Sequence, residues 1–198
     1  MEKLDKRYFR HSMRLNGHDY CTPGNYFITI CTKNKLNHFG NIDNNILIST
    51  EIGLMVHDVW FALPKRFPEI ILGEFVVMPD HIHGIISINN RVSGIASNSF
   101  EEKSKHGIPK YIQHYKRKTT YLYHQIVKCN PVGADSRIGP CRQNRPCRNS
   151  LTPGSAKIDK IGPLWQKNYY DRIIRTQKEY YTISKYIRNN PPNHHSSP

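Results

Sequence analysis

The stretch Phe75-Val76-Val77-Met78-Pro79-Asp80-His81-Ile82-His83-Gly84-Ile85-Ile86-Ser87-Ile88 decides how this chain is read. A run rich in Val and Ile breaks at Pro79-Asp80 and then resumes, the pattern of two strands joined by a turn. Side chains alternate along a strand, so His81 and His83 leave one face and Ile82 the other. Spaced about 7 Å apart along the backbone, two imidazoles on one face of a sheet can share a divalent cation. The competing reading is two ordinary half-exposed strand histidines, and the rest of the chain has to decide between them.

Working outward, residues 70–78 extend the first of these strands, and Asn25-Tyr26-Phe27-Ile28-Thr29-Ile30-Cys31-Thr32 alternates in the same manner. Between them Ile52, Met55, Val56, Val59, Trp60 and Leu63 fall at three-and-four spacing. They predict a helix over 49–63, with Ser49 near its N-cap and Pro64 closing it. Residues 39–42 read as a loop or short strand, and 8–16 as a basic lead-in. After a polar loop over 89–106, a second helix is predicted from Pro109 to about Val127, with Tyr111, Ile112, Tyr115, Leu122 and Ile126 on one side.

From 129 to 163 the composition turns to Pro, Gly and Arg with almost no apolar periodicity, an excursion longer than a compact domain usually needs. It reads as a contact to a nucleic-acid backbone or as a tolerated surface insert. Residues 165–175 return to a β pattern. Thr176, with Glu179 three residues on, forms a capping box that opens a helix from Gln177 to about Asn190, stopped by Pro191-Pro192. The order β-α-β-β-α-β-α predicts an α+β fold. Its first six elements match the ferredoxin-like βαββαβ antiparallel sheet, and the C-terminal helix is extra. One domain is expected over 1–192, followed by a short tail, 193–198.

Composition narrows the partner. The 198 residues carry 29 Lys and Arg against 15 Asp and Glu, a formal charge of +14, which points to a polyanion and first to nucleic acid. No apolar run reaches membrane-spanning length, and the start Met1-Glu2-Lys3-Leu4-Asp5-Lys6 is too polar for a signal peptide, so a cytoplasmic protein with no membrane partner is expected. The five cysteines (Cys21, Cys31, Cys129, Cys141 and Cys147) include no C-x-x-C pair and are expected to be reduced thiols.

The final predicted helix supplies the chemistry. Tyr186 and Asn190 are four residues apart, which returns them to within about 40° of one another on a helix. The Asn190 carbonyl can face a cation, and the phenol then lies near it. Tyrosine, with a free pKa of about 10, is a weak nucleophile and needs a polarised electrophile. A phosphate neutralised by a metal on two histidines and an amide oxygen provides one. Attack on a DNA phosphate would conserve the broken bond as a phosphotyrosine. Tyr180 and Tyr181 stand six and five residues before Tyr186, out of its helical phase. No Ser or Cys with a spaced base competes, and the chain has no Walker loop and no H-E-x-x-H.

At these residues the chain resembles a known family. Met78-Pro79-Asp80-His81-Ile82-His83-Gly84 is similar to the His-hydrophobe-His (HUH) motif of single-tyrosine transposases. Leu164-Trp165-Gln166-Lys167-Asn168-Tyr169-Tyr170-Asp171-Arg172-Ile173-Ile174-Arg175 and Tyr186-Ile187-Arg188-Asn189-Asn190-Pro191 resemble the REP-associated branch, as does the strand Tyr26-Phe27-Ile28-Thr29-Ile30. The resemblance spans roughly 8–192. It implies cleavage and rejoining of single-stranded DNA at hairpin-forming repeats, with Mg²⁺ or Mn²⁺, through a 5′-phosphotyrosine and a free 3′-hydroxyl. It puts His81 and His83 on the metal-binding pair, Asn190 on the third ligand and Tyr186 on the nucleophile. Relatives include monomers and homodimers. The 129–163 segment stands where relatives have a shorter connection, and little sequence follows Pro192 for contacts beyond the last helix.

Arg172, Arg175, Lys185 and Arg188 are candidates for holding phosphates, and Trp165 and Tyr170 for stacking on unpaired bases, Trp165 equally as core. Asp80 reads as a turn residue. Three functions stay open at this point: a DNA transposase or nickase–ligase, a non-catalytic binder of structured single-stranded nucleic acid, and a metal-dependent phosphodiesterase that needs no tyrosine. The first requires the closing helix to fold back onto the histidines.

Overall fold

The computed structural model describes residues 20–89, 107–129 and 161–190. The lead-in at 8–16, most of the 89–106 loop, the insert over 130–160 and the tail lie outside these residues. Strand β1, Gly24–Cys31, is central: it pairs antiparallel with β5, His81–Ile88, on one side and with β6, Tyr170–Ile174, on the other. β4, Ile70–Val77, pairs antiparallel with the far side of β5, giving the order β4-β5-β1-β6. With helices α1 (Glu51–Phe61) and α3 (Gly107–Cys129) as the two crossovers, this is the expected ferredoxin-like α+β fold. Helix α4, Gln177–Arg188, is the addition.

Alternation assigns the faces. Tyr26, Ile28 and Ile30 of β1, with Ile82, Ile86 and Ile88 of β5, are buried in the main core. Val56 and Trp60 of α1 and Ile108, Tyr111, Ile112 and Tyr115 of α3 close over them, and the Tyr115 hydroxyl donates to the Val56 carbonyl at 3.0 Å. Trp60 lies so close to the sheet that a Cβ on Gly84 would collide with its indole ring, so only glycine fits that position. Phe27, Val76, Ile85 and Ile174 face the opposite way and pack against Ile183, Ile187 and Tyr180 of α4. The sheet is thus sandwiched, with α1 and α3 on one side and α4 alone on the other.

Several local expectations are corrected. The cap of α1 is Thr50, not Ser49; its hydroxyl accepts from Gly53 N at 3.1 Å. Pro64 does not end the helical region, because it sits in the first turn of a short α2, Leu63–Arg66, where its missing N–H goes unused. Residues 39–42 are part of a hairpin, β2 (Gly40–Asp43) and β3 (Ile46–Ser49), turned by Asn44 and Asn45 at φ 47° and 62°. The strand expected over 165–175 is laddered only in β6, and Trp165 meets Thr32 through an isolated bridge. α4 ends at Arg188, leaving Asn190 in the turn beyond it. Among the described residues, Cys21 and Cys31 are outside any disulfide, and no helix is long and apolar enough to cross a membrane.

Candidate active site

Antiparallel register puts Val76, His83, Thr29 and Tyr170 in one row across β4, β5, β1 and β6, with His81 opposite Cys31 in the next row. Directly paired residues share a face, so His81 and His83 both stand on the α4 side. Their Nε2 atoms are 3.1 Å apart. Each ring is held from behind: the Asp80 carboxylate meets His81 Nδ1 at 2.6 Å, and the Thr29 hydroxyl meets His83 Nδ1 at 2.8 Å. Phe27 stacks on His83 with ring centres 5.3 Å apart. Tyr186, on the exposed shoulder of α4, brings its hydroxyl to 3.3 Å from His83 Nε2, with its ring edge-on to Phe27.

The proton assignment that satisfies these contacts gives His81 Nδ1–H to Asp80, His83 Nδ1–H to Thr29 and the Tyr186 O–H to His83 Nε2. The His81 Nε2 lone pair then faces His83 Nε2, which already accepts from the phenol, and a cation placed between the two rings would use both nitrogens. His83 is suited to that arrangement because burial, and secondly the neighbouring His81, push its pKa down to about 3 and keep it neutral. The separation also fits. Two neighbouring ligands each about 2.1 Å from an octahedral ion lie about 3 Å apart. Nδ1 partners such as Asp80 and Thr29 are the usual means of fixing the tautomer of a ligating histidine.

The third expected ligand is less closely drawn in. Asn190 is buried, with its carboxamide nitrogen lacking any hydrogen-bond partner, but it makes no hydrogen bond to either imidazole. Among the described residues no three His, Cys, Asp or Glu side chains converge on one point. A divalent ion here would rest on the two histidines and on uncharged oxygen donors, a mixed set in which imidazole suits the later transition metals and oxygen suits Mg²⁺ or Mn²⁺.

Of the remaining candidates, Tyr170 is half exposed at the start of β6. Arg172 pairs with Glu179 at 2.6 Å and Arg188 with Glu74 at 2.8 Å, so both ends of α4 are tied to the sheet by exposed ion pairs. Arg175 and Lys185 are exposed. Trp165 is only 4% exposed and donates its indole N–H to Thr119 at 2.8 Å. It is core, and the expectation that it stacks on bases is withdrawn. Local spacing carried no sign of the Thr29 and Phe27 contacts to His83, which depend on cross-strand register. Asp80 was visible as a neighbour of His81 and was read only as a turn.

Fold and site together define a ferredoxin-like α+β protein in which a His-hydrophobe-His pair on the central sheet faces a tyrosine carried by a C-terminal helix. A Haemophilus influenzae protein of uncharacterised function is 35% identical over 182 residues, spanning 92% of this chain and 88% of the relative. The chain belongs to the family of that Haemophilus protein. No family model matches it. Among solved structures, it is similar to a REP-associated tyrosine transposase bound to a REP hairpin, at 16% identity and a TM-score of 0.47 over 88% of this chain and 70% of that one. It is also similar to a candidate transposase from Deinococcus radiodurans, at 14% identity and a TM-score of 0.39 over 89% of this chain and 97% of that one.

Proposed function

We propose that the protein is a transposase of the single-tyrosine kind, cleaving and rejoining single-stranded DNA at hairpin-forming repeats. The observation that carries this reading is the 3.3 Å approach of the Tyr186 hydroxyl to the paired imidazoles. The +14 charge supplies attraction for the strand, and the three ordered motifs supply the DNA chemistry by resemblance. Tyr186 Oη attacks a backbone phosphorus. The bond to the 3′-oxygen breaks, the 5′-phosphate stays on the tyrosine, the phenol proton passes to solvent, and the 3′-oxygen takes a proton from solvent and leaves as a hydroxyl. The same hydroxyl, or another brought to the site, reverses the step.

A divalent ion, Mg²⁺ or Mn²⁺, held by His81 and His83 with Asn190 as third ligand, would neutralise phosphate charge when bound. Asp80 and Thr29 hold the two rings so that neither must reorient, and Phe27 keeps water from one face of His83. Arg172 and Arg188, through Glu179 and Glu74, seat α4 so that its phenol points inward.

Incubation with single-stranded hairpin DNA and Mn²⁺ should yield a covalent adduct on a denaturing gel. Tyr186→Phe should abolish it, a loss of at least about 1,000-fold, while retaining DNA affinity. Cleavage without adduct that survives Tyr186→Phe would establish the phosphodiesterase instead. Binding with neither cleavage nor adduct would establish the non-catalytic binder.

A further inference from the structure

A groove runs over the surface beside β6, away from the histidines. Its larger part, about 730 Å³, lies between α3 and the segment that carries Trp165, with Arg117 and Lys167 on its walls. Its smaller part, about 360 Å³, continues past Lys33, Lys167 and Tyr169 to Tyr170. The two parts share Gln166, Lys167 and Tyr169, and neither is lined by an acidic side chain. The wall is rigid. Lys33 N donates to Leu164 O at 2.8 Å and Gln166 N to Cys31 O at 3.0 Å, while the half-buried Lys116 ammonium gathers the carbonyls of Gln166, Lys167 and Asn168.

Position gives this groove its meaning. Tyr170 is the register partner of Thr29, which is the register partner of His83, so the end of the groove lies two strands from the site, about 10 Å away. That is the span of one or two nucleotides. Tyr170 is 50% exposed and stands on the same face of the sheet as the histidines. An aromatic ring between lysines suits an unpaired base with phosphates on either side.

We infer that this groove holds unpaired nucleotides of a DNA strand adjoining the phosphate presented to Tyr186, with a base stacked on Tyr170 and phosphates on Lys33 and Lys167. The inference rests on the proposed DNA function but assigns a binding surface that the catalytic residues do not contain. A duplex is too wide to offer a base face to Tyr170, so the groove selects single strands.

The test uses the full chain carrying Tyr186→Phe, so that binding is measured without cleavage, with a fluorescent single-stranded oligonucleotide and a blunt duplex as probes. Tyr170→Ala should weaken single-strand binding about tenfold and leave duplex binding unchanged, with Tyr170→Phe restoring it. Lys33→Ala with Lys167→Ala should weaken single-strand binding about tenfold and reduce the salt slope by about 1.4, the value for two phosphates on a single strand. All three side chains are exposed, so folding is not at stake. Unchanged single-strand affinity, or equal weakening for both probes, would overturn the groove. Adduct formed by the chain with Tyr186 intact, together with indifferent groove variants, sinks this inference alone. No adduct from the chain with Tyr186 intact, together with groove variants that bind single strands more weakly, sinks only the catalytic reading.

Discussion

On one face of the four-stranded sheet, twenty buried residues from β1, β4, β5, α1, α3 and their flanking loops form a continuous core; on the other, four buried residues hold α4 in place. The first face carries the aromatic stack of Trp60 on Phe75 and Tyr115. The second carries the histidines, the tyrosine and the ion pairs that join α4 to β4 and β6. The difference separates two jobs. The thick side fixes the backbone of β5, and with it the positions of His81 and His83. The thin side holds α4 through few buried side chains and two exposed ion pairs, which places that helix nearer the low-stability end of the structure.

The hardest way to break this division is to empty the thick side. Trp60 is fully buried and pressed against Gly84. Trp60→Ala should destabilise the protein by about 3–5 kcal/mol in urea or thermal unfolding, through lost burial and the cavity left behind. Below the unfolding transition, the molecules that remain folded should still form adduct at the parental rate. A loss under about 1 kcal/mol would mean that the α1 side is not the anchor.

How far each face could be read from sequence follows the same line. The thick side was legible because β1, β5 and α3 state their own periodicities, and the turn at Pro79-Asp80 placed β5 at His81–Ile88. What failed there was punctuation. Pro64 lies in the first turn of a second helix rather than at the end of the first, and Asn44-Asn45 is a weaker hairpin signal than Asn-Gly. On the thin side, what local spacing sets was legible: the shared face of His81 and His83, the place of Tyr186 on the closing helix, and the Thr176 cap that accepts from Glu179 N at 3.1 Å. Thr29 and Phe27 were not, because a contact made across 54 residues depends on register that no local pattern contains. Trp165 misled for the opposite reason: its β-like neighbourhood hid a buried partner on α3, Thr119.

A smaller effect should appear when the thin side is weakened. Ile187 is buried against Ile85 and Ile174, and Ile187→Ala should remove about 2–3 kcal/mol. The loss should be local. Amides of α4 should exchange with deuterium faster while those of β1 and β5 keep their protection, and adduct yield should fall with the docked fraction of the helix. Uniformly faster exchange across the sheet would show that the two faces unfold as one unit and remove the distinction drawn above.

The smallest change in stability should come from Asp80→Asn, and it separates the site from the scaffold most cleanly. The carboxylate lies in the turn before β5 and meets His81 Nδ1 at 2.6 Å. Replacing it with a carboxamide of the same shape leaves packing nearly untouched, so unfolding should shift by about 1 kcal/mol, the worth of a single hydrogen bond. The chemistry should change more. A neutral partner makes His81 a poorer donor to a cation, and an amide N–H turned toward Nδ1 moves the ring proton to Nε2, where a metal would bind. The Mn²⁺ concentration giving half-maximal adduct should therefore rise about 10- to 100-fold, with little change in the plateau once the ion saturates. An unchanged Mn²⁺ requirement would mean that His81 is oriented without Asp80. A lowered plateau with the same requirement would instead assign Asp80 to the tyrosine step.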